Sequence, residues 1–166
     1  METNPVRMSD TMVLWVCKNI PSGSTILELG SGEGSKILHD NGYTMYSVEH
    51  SLDWLNKYDG INYVYAPITE HKPVKGFEPQ CSWYDKDAIS RIPKGYKCII
   101  VDGPPDRIGR SGFYKYLSLF DTDVPIIVDD LNRGLDYKLA LRVSAKLKRP
   151  LIVWDAWNPN KQWGVI

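Results

Sequence analysis

Short apolar runs alternate along the chain with amphipathic segments. The apolar runs cover residues 25–29, 43–48, 62–65, 97–101 and 124–128, and their lengths are typical of strands. Helical spacing follows the fourth and the fifth runs, in the sets Phe113, Tyr116, Leu117, Phe120 and Leu135, Leu139, Val143, Leu147. Strands that alternate with helices predict an α/β fold, doubly wound around a mainly parallel sheet with helices on both faces.

Two further features complete the predicted order of elements. Residues 151–154 and 162–166 flank an Asn-Pro-Asn turn sequence at 158–160, which predicts an antiparallel C-terminal hairpin and a seven-stranded sheet. Ser51 has the character of an N-cap, which predicts a short helix over residues 52–55.

One stretch breaks the alternation. Residues 66–82 contain three prolines, two lysines and His71, without a clear period. An irregular connection of this length is either a lid over a ligand site or a surface insertion. The 166 residues fit one domain, which we predict to span positions 1–166.

The charge balance narrows the classes of partner. The chain has 20 Lys and Arg against 20 Asp and Glu, so its formal net charge is zero. This balance disfavours a nucleic-acid coat and a polybasic membrane anchor. Lys138, Arg142 and Lys146 form a basic stripe on the last predicted helix, and we interpret the stripe as a solvated helix face.

The cysteines and the N-terminal region indicate the cellular compartment in which the protein works. Cys17, Cys81 and Cys98 have neither metal-site spacing nor the even number of a disulfide framework, which favours a reducing compartment. The apolar run at 12–16 is too short for a signal-peptide core or a membrane span. We therefore expect a cytoplasmic protein that does not engage a membrane.

Glycines and acids gather where the predicted strands end. The segment 30–34 follows the first strand, Glu49 the second, Asp102 the fourth, and the pair Asp129 and Asp130 the fifth. Ligands of open α/β sheets bind beyond the carboxyl ends of the strands, so we look for the chemistry there. The glycine spacing fits neither a P-loop nor the G-x-G-x-x-G dinucleotide fingerprint.

Glu49 is a candidate ribose ligand. A carboxylate at the end of the second strand can accept hydrogen bonds from both ribose hydroxyls. His50 follows it, and we include His50 in the cofactor site, although capping or packing is the commoner role for such a residue.

The sequence Glu28-x-Gly30-x-Gly32-x-Gly34, followed by Glu49 and by Asp102 after the fourth strand, resembles class I S-adenosylmethionine-dependent methyltransferases. The resemblance covers nearly the whole chain, including the closing hairpin. It implies S-adenosylmethionine as cofactor, with the glycines beside its methionine part and Glu49 on its ribose. It also implies an adenine site after the third strand. Trp83 and Tyr84 are our candidates for that site, the alternative for them being ordinary core contacts, and Glu28 and Asp102 complete the predicted cofactor site.

Three arginines follow the acidic strand ends. Arg107, Arg110 and Arg133 could form a fork for a carboxylate or phosphate of the substrate. The alternative is that they pair with Asp106, Asp129 or Asp130.

Asp102 is our candidate for the catalytic base or orienting group, with Asp130 second. Asp102, Asp129 and Asp130 also resemble the acids that hold magnesium in catechol-type O-methyltransferases. The arginine-rich loops do not belong to that pattern. A divalent metal is therefore not favoured, and we predict no metal ligands.

The resulting hypothesis is methyl transfer from S-adenosylmethionine to the oxygen or nitrogen of a small polar or anionic acceptor. The alternatives are another enzyme that uses this cofactor, for cleavage or aminopropyl transfer, and a non-catalytic binding subunit of the same fold. Trp154 and Trp157 lie near the terminal hairpin, where they would form a homodimer face or pack the core.

Overall fold

The computed structural model describes residues 8–166. The strands are β1 (Thr25–Leu29), β2 (Thr44–Glu49), β3 (Asn62–Tyr65), β4 (Ile68–Glu70), β5 (Ser82–Tyr84), β6 (Cys98–Val101), β7 (Ile126–Val128), β8 (Ile152–Trp154) and β9 (Trp163–Val165). The helices are α1 (Asp10–Asn19), α2 (Glu33–Asp40), α3 (Lys86–Ile89), α4 (Ser111–Lys115) and α5 (Gly134–Leu147), with a 3₁₀ turn at Leu117–Leu119.

Seven strands form one sheet in the order β3-β2-β1-β6-β7-β9-β8. The five strands from β3 to β7 in this order pair in parallel, while β9 is antiparallel to both β7 and β8. The predicted α/β class, the mainly parallel sheet and the antiparallel hairpin are all confirmed. Because the parallel strands share one direction, their carboxyl ends lie at one edge of the sheet.

The sheet is apolar on both faces. Successive side chains of a strand point to opposite faces, and the central strands β1 and β6 are buried apart from Thr25. Leu27, Leu29 and Ile99 pack in one core cluster, whereas Ile26 and Ile100 pack in the other. The first cluster includes apolar residues of α4 and α5, and the second those of α1 and α2.

Two helix predictions need correction. The segment after Ser51 forms turns in place of a helix, and the chain leaves it at Asn56 with a φ of 60°. The helix predicted from Phe113 to Phe120 divides into α4 and a 3₁₀ turn, because Tyr116 departs from helical geometry with a ψ of 24°.

Residues 66–82 are anchored to the body of the fold. Their ends contribute β4 and β5, which form a two-stranded antiparallel ladder. Phe77 is buried, and the buried Gln80 accepts a hydrogen bond from the Ser111 amide at 3.1 Å. No residue of the segment lines the cavity described below.

The basic stripe of α5 packs against aromatic rings, so the interpretation as a merely solvated face is incomplete. The Arg142 guanidinium lies 5.2 Å from the Phe77 ring centroid and 4.5 Å from that of Tyr114. Lys146 Nζ lies 4.8 Å from the Tyr114 ring. Cations over aromatic faces are attracted by the ring quadrupole, so α5 helps to hold the 66–82 segment in place.

The tryptophans near the hairpin have different surroundings. Trp154 stacks on Trp163 with centroids 5.5 Å apart, while Trp157 is 81% exposed and does not pack the core. The homodimer face stays a prediction. Within residues 8–166, every helix is too short or too polar to cross a bilayer.

Candidate functional site

A cavity of about 390 Å³ lies at the edge where the parallel strands end. Its walls come from the loops after β1, β2, β6 and β7, together with Tyr84 at the end of β5 and Lys161 before β9. The volume is in the usual range of small-molecule sites. The strand ends that the sequence indicated therefore surround one cavity.

Two of the three predicted glycines face this cavity. Gly30 has a φ of +104°, a conformation that favours glycine, and a Cβ there would lie 3.1 Å from the Gly103 amide nitrogen. Gly32 lines the cavity with space around its Cα. Gly34 instead lies in the first turn of α2, where a Cβ would meet Met8 at 2.8 Å, so its role in the structure is helix packing.

Glu28 lies beneath the glycine loop and does not line the cavity, contrary to its predicted place in the cofactor site. Its carboxyl accepts hydrogen bonds from the Ser35 hydroxyl of α2 and, at 2.8 Å, from the Ser47 hydroxyl of β2. Ser35 in turn accepts from the Gly32 amide at 3.0 Å. The chain of bonds ties the glycine loop to the sheet, so Glu28 shapes the site from behind.

Burial raises the pKa of Glu28 to about 7, against the opposing effect of its two serine hydrogen bonds. An acid whose pKa is higher in the folded than in the unfolded state stabilises the fold below the unfolded value of 4.5. That stabilisation is lost as the pH rises through the folded pKa.

We expect the free energy of unfolding to fall by about 3 kcal/mol from this group between pH 5 and pH 8. Glu28→Gln should flatten the dependence, because the amide keeps the shape without the titration. Burial also raises the pKa values of Asp102, Asp129 and Asp136, the last to about 6, so the variant should keep part of the slope. Urea denaturation of both proteins across this range measures the effect, and equal slopes would show that another group is responsible.

Glu49 is 4% exposed and lies at the cavity wall. Its Oε1 accepts hydrogen bonds from the backbone amides of His50 and Ser51, each at 2.7 Å. These bonds fix the carboxylate, and Oε2 takes part in neither. The His50 Nδ1 lies 2.9 Å from Oε1, and the imidazole also lines the cavity.

The two candidates for the adenine site differ in position. Trp83 is fully buried and does not line the cavity; its ring stacks on Tyr116 with centroids 5.9 Å apart, so its predicted contact with the cofactor has no support in the structure. Tyr84 does line the cavity. Its buried hydroxyl has no hydrogen-bond partner among the described residues, and a Cβ on Gly103 would lie 2.5 Å from it. Burial and the nearby Glu49 carboxylate raise the pKa of Tyr84 well above its usual value, so the hydroxyl is a donor at neutral pH.

Arg110 organises the acidic end of the cavity. It is 3% exposed, and its Nη2 donates to Asp130 Oδ2 at 2.9 Å and lies 3.3 Å from Asp102 Oδ1. It also donates to the backbone oxygens of Asp102 and Asp129 at 2.7 and 3.0 Å. The hydrogen bonds of the guanidinium therefore go to acceptors of the protein itself. Arg110 pairs with acids, as in the alternative interpretation, and is not placed to bind a substrate.

The other two predicted arginines, Arg107 and Arg133, differ in their partners. Arg133 Nη1 pairs with Asp130 Oδ2 at 2.9 Å, again as in the alternative interpretation. Arg107 is exposed at the cavity wall and forms no ion pair with any residue between 8 and 166. The three arginines do not form a common fork.

The acids of this end differ in their affinity for protons. Burial, followed by the neighbouring Asp129 carboxylate, raises the pKa of Asp102 well above its usual range. Burial also acts on Asp130, but Arg110, Lys161 and Arg133 outweigh it and lower the pKa of that carboxyl. Asp102 is thus the better proton acceptor of the two, and Asp130 is an anion surrounded by cations.

Lys161 is one of the cavity-lining residues that the sequence did not indicate. Its Nζ lies 2.7 Å from Asp129 Oδ2 and 3.2 Å from Asp130 Oδ1, and its side chain lines the cavity. Lys161 stands just before the last strand, 31 positions after Asp130, in a turn that the pattern marked only as a connection. The antiparallel insertion of β9 beside β7 is the signal that could have found it.

No protein-family model and no curated protein matches this sequence. Solved structures do match in fold. The C-terminal domain of precorrin-6Y C5,15-methyltransferase from Rhodobacter capsulatus is 13% identical, with a TM-score of 0.61 over 90% of this chain and 77% of that one.

Two other matches have S-adenosylmethionine bound. Fibrillarin from Aeropyrum pernix is 12% identical, with a TM-score of 0.52 over 98% of this chain and 75% of its own. Magnesium protoporphyrin IX methyltransferase from Synechocystis is 11% identical, with a TM-score of 0.52 over 94% of this chain and 76% of its own. The protein has the fold of the class I S-adenosylmethionine-dependent methyltransferases.

Proposed function

We propose that this protein is an S-adenosylmethionine-dependent methyltransferase acting on the oxygen or nitrogen of a small polar or anionic acceptor. One observation carries the proposal. The glycine loop after β1 and the fixed carboxylate of Glu49 after β2 border the same cavity, at the strand ends of a methyltransferase fold.

The residues at the glycine end fit the cofactor. Gly30 and Gly32 leave the backbone open to a ligand, since neither carries a Cβ. Glu49 would accept hydrogen bonds from the ribose hydroxyls through Oε2, because Oε1 is already bonded to two amides. The unpartnered Tyr84 hydroxyl would donate to a cofactor atom beside Gly103.

When bound, S-adenosylmethionine supplies a methyl group already activated on a sulfonium. The protein then has to place the acceptor in line with that group, which can lower the barrier by several kcal/mol. Asp102 lines the cavity and is the proposed base for a hydroxyl acceptor, since burial raises its pKa, whereas the surrounding cations lower the pKa of Asp130. Asp130 is the proposed orienting group.

The acceptor is proposed to be small because one cavity must hold both it and the cofactor. Arg107, exposed at the cavity wall without an ion pair in the described chain, is the cation available to an anionic acceptor. Structures of the same fold include a C5,15-methyltransferase and a fibrillarin complex, so the fold itself leaves the acceptor atom open.

Calorimetry with S-adenosylhomocysteine, followed by mass spectrometry of candidate acceptors incubated with S-adenosylmethionine, tests the proposal. We expect saturable binding at one site per chain and an acceptor that gains the mass of a methylene group. No heat at millimolar ligand would contradict the proposal and favour a non-catalytic subunit. Binding with cofactor cleavage, or with aminopropyl transfer, would favour a different reaction on the same cofactor.

A further inference from the structure

Three carboxylates converge at the acidic end of the cavity. One oxygen from each of Asp102, Asp129 and Asp130 lies within 4.8 Å of the other two. Groups of this kind suit divalent cations such as Mg²⁺ and Mn²⁺, which prefer oxygen ligands. In this protein, however, the cluster already contains a cation of its own.

That cation is the ammonium of Lys161. Its Nζ approaches Asp129 Oδ2 at 2.7 Å and Asp130 Oδ1 at 3.2 Å. The side chain is 13% exposed, so the contacts are shielded from solvent. Arg110 lies 3.3 Å from Asp102 Oδ1 and 2.9 Å from the opposite oxygen of Asp130, Oδ2, so it leaves the position between Asp129 and Asp130 to Lys161.

The two acids are held in place independently of Lys161. Asp129 Oδ1 accepts the backbone amide of Asp130 at 2.8 Å, which leaves Oδ2 for the ammonium. Asp130 has a φ of 59°, in the left-handed region, which turns the chain sharply at the end of β7. The oxygens facing Lys161 are thus positioned by the backbone and by Arg110.

We propose that Lys161 is the resident cation of this three-carboxylate cluster and holds the position that a divalent metal would otherwise occupy. This inference rests on the proposed function, because it assigns a positioning residue to the acceptor end of the same cavity. Lys161 neutralises Asp129 and Asp130 and excludes metal ions from the position between them. An acceptor in the cavity therefore meets an N–H donor, not a Lewis acid.

The charges agree with this assignment. Burial by itself would lower the pKa of Lys161, but Asp129, Asp130 and Asp102 raise it above its ordinary value. The side chain therefore remains an ammonium at neutral pH. An ammonium has three donors, and the two carboxylates take two of them, so the third is available to a ligand in the cavity.

Removing this charge should create a metal site. We expect Lys161→Met to bind Mn²⁺ at least about tenfold more tightly than the natural protein, because the ammonium between Asp129 and Asp130 is gone while the carboxylates remain. Electron paramagnetic resonance of free Mn²⁺ during titration of the full chain measures the binding. Adding Asp129→Asn to Lys161→Met should abolish the gain.

Lys36→Met is the matched control, since Lys36 pairs with the single exposed Asp40 on α2 and should confer no Mn²⁺ binding. Circular dichroism verifies that each variant is folded. Lys161→Gln gives the same readout should the methionine variant prove too unstable to purify. A folded variant that binds Mn²⁺ no more tightly than the natural protein would overturn the inference.

If the natural protein bound Mn²⁺ as tightly as Lys161→Met does, that result would also overturn the inference. The titration needs neither S-adenosylmethionine nor an acceptor. Its failure is therefore distinguishable from failure of the proposed methyltransferase function, which calorimetry with S-adenosylhomocysteine tests separately.

Discussion

Glu49→Gln should weaken the binding of S-adenosylhomocysteine by about 10- to 100-fold. Hydrogen bonds to a charged group are worth about 1.5–3 kcal/mol, and the substitution removes the charge while keeping the shape. The glutamine Oε1 can still accept the amides of His50 and Ser51, which now bond Glu49 at 2.7 Å. The substitution would therefore weaken the hydrogen bonds to the ligand and leave the loop after β2 in place. Calorimetry at constant pH and ionic strength measures the change.

Glu70→Gln is the control for this variant. Glu70 ends β4 as an exposed residue and does not line the cavity, so its substitution removes the same charge elsewhere. We expect Glu70→Gln to bind S-adenosylhomocysteine with the affinity of the natural protein. If Glu49→Gln and the control bind equally well, Glu49 is not the ribose ligand and the orientation proposed for the cofactor is wrong.

The sheet could be predicted from sequence because its cause is local. Each central strand is an apolar run bounded by glycine, aspartate or proline, and both of its faces are buried, so the runs identify the strands without tertiary information. The turn after Ser51 was harder. An N-cap and apolar residues fit a helix there, and the left-handed Asn56 that follows depends on the tertiary context.

The candidate site was predictable in position but not in detail. Strand direction brings Glu49, Asp102 and Asp130 to one edge, and sequence shows that much. Whether a side chain faces the cavity or the interior depends on packing. Trp83 and Tyr84 are neighbours on β5, yet only the second reaches the cavity.

The sequence left open whether the loop arginines pair with neighbouring acids or face the substrate, for a similar reason. Arg110 and Arg133 look alike as loop arginines, and only the folded chain shows that both bond Asp130 at 2.9 Å. Lys161 reaches the same acids from another part of the chain. The contacts of Arg110 and Lys161 with Asp130 span 20 and 31 positions, so they depend on how the loops and the hairpin dock.

Removing Arg110 should cost the protein several kcal/mol of stability. It is almost fully buried and contacts the carboxylates of Asp102, Asp130 and, at 3.8 Å, Asp136. Removing one partner of a buried ion pair leaves the other charge uncompensated, and the cost is typically about 3–5 kcal/mol. Arg133 and Lys161 would remain beside Asp130, but Asp102 would lose its ion pair among the described residues.

We expect Arg110→Met to lower the free energy of unfolding by about 3–5 kcal/mol at neutral pH, measured by urea denaturation. The loss should be greater at pH 8 than at pH 5. Without the guanidinium the pKa values of the three carboxyls rise, and the variant regains stability when those carboxyls take up protons as the pH falls. Arg107→Met is the control, because Arg107 is exposed and should change stability by less than about 0.5 kcal/mol. Equal effects of the two substitutions would mean that Arg110 does not hold the acidic end together.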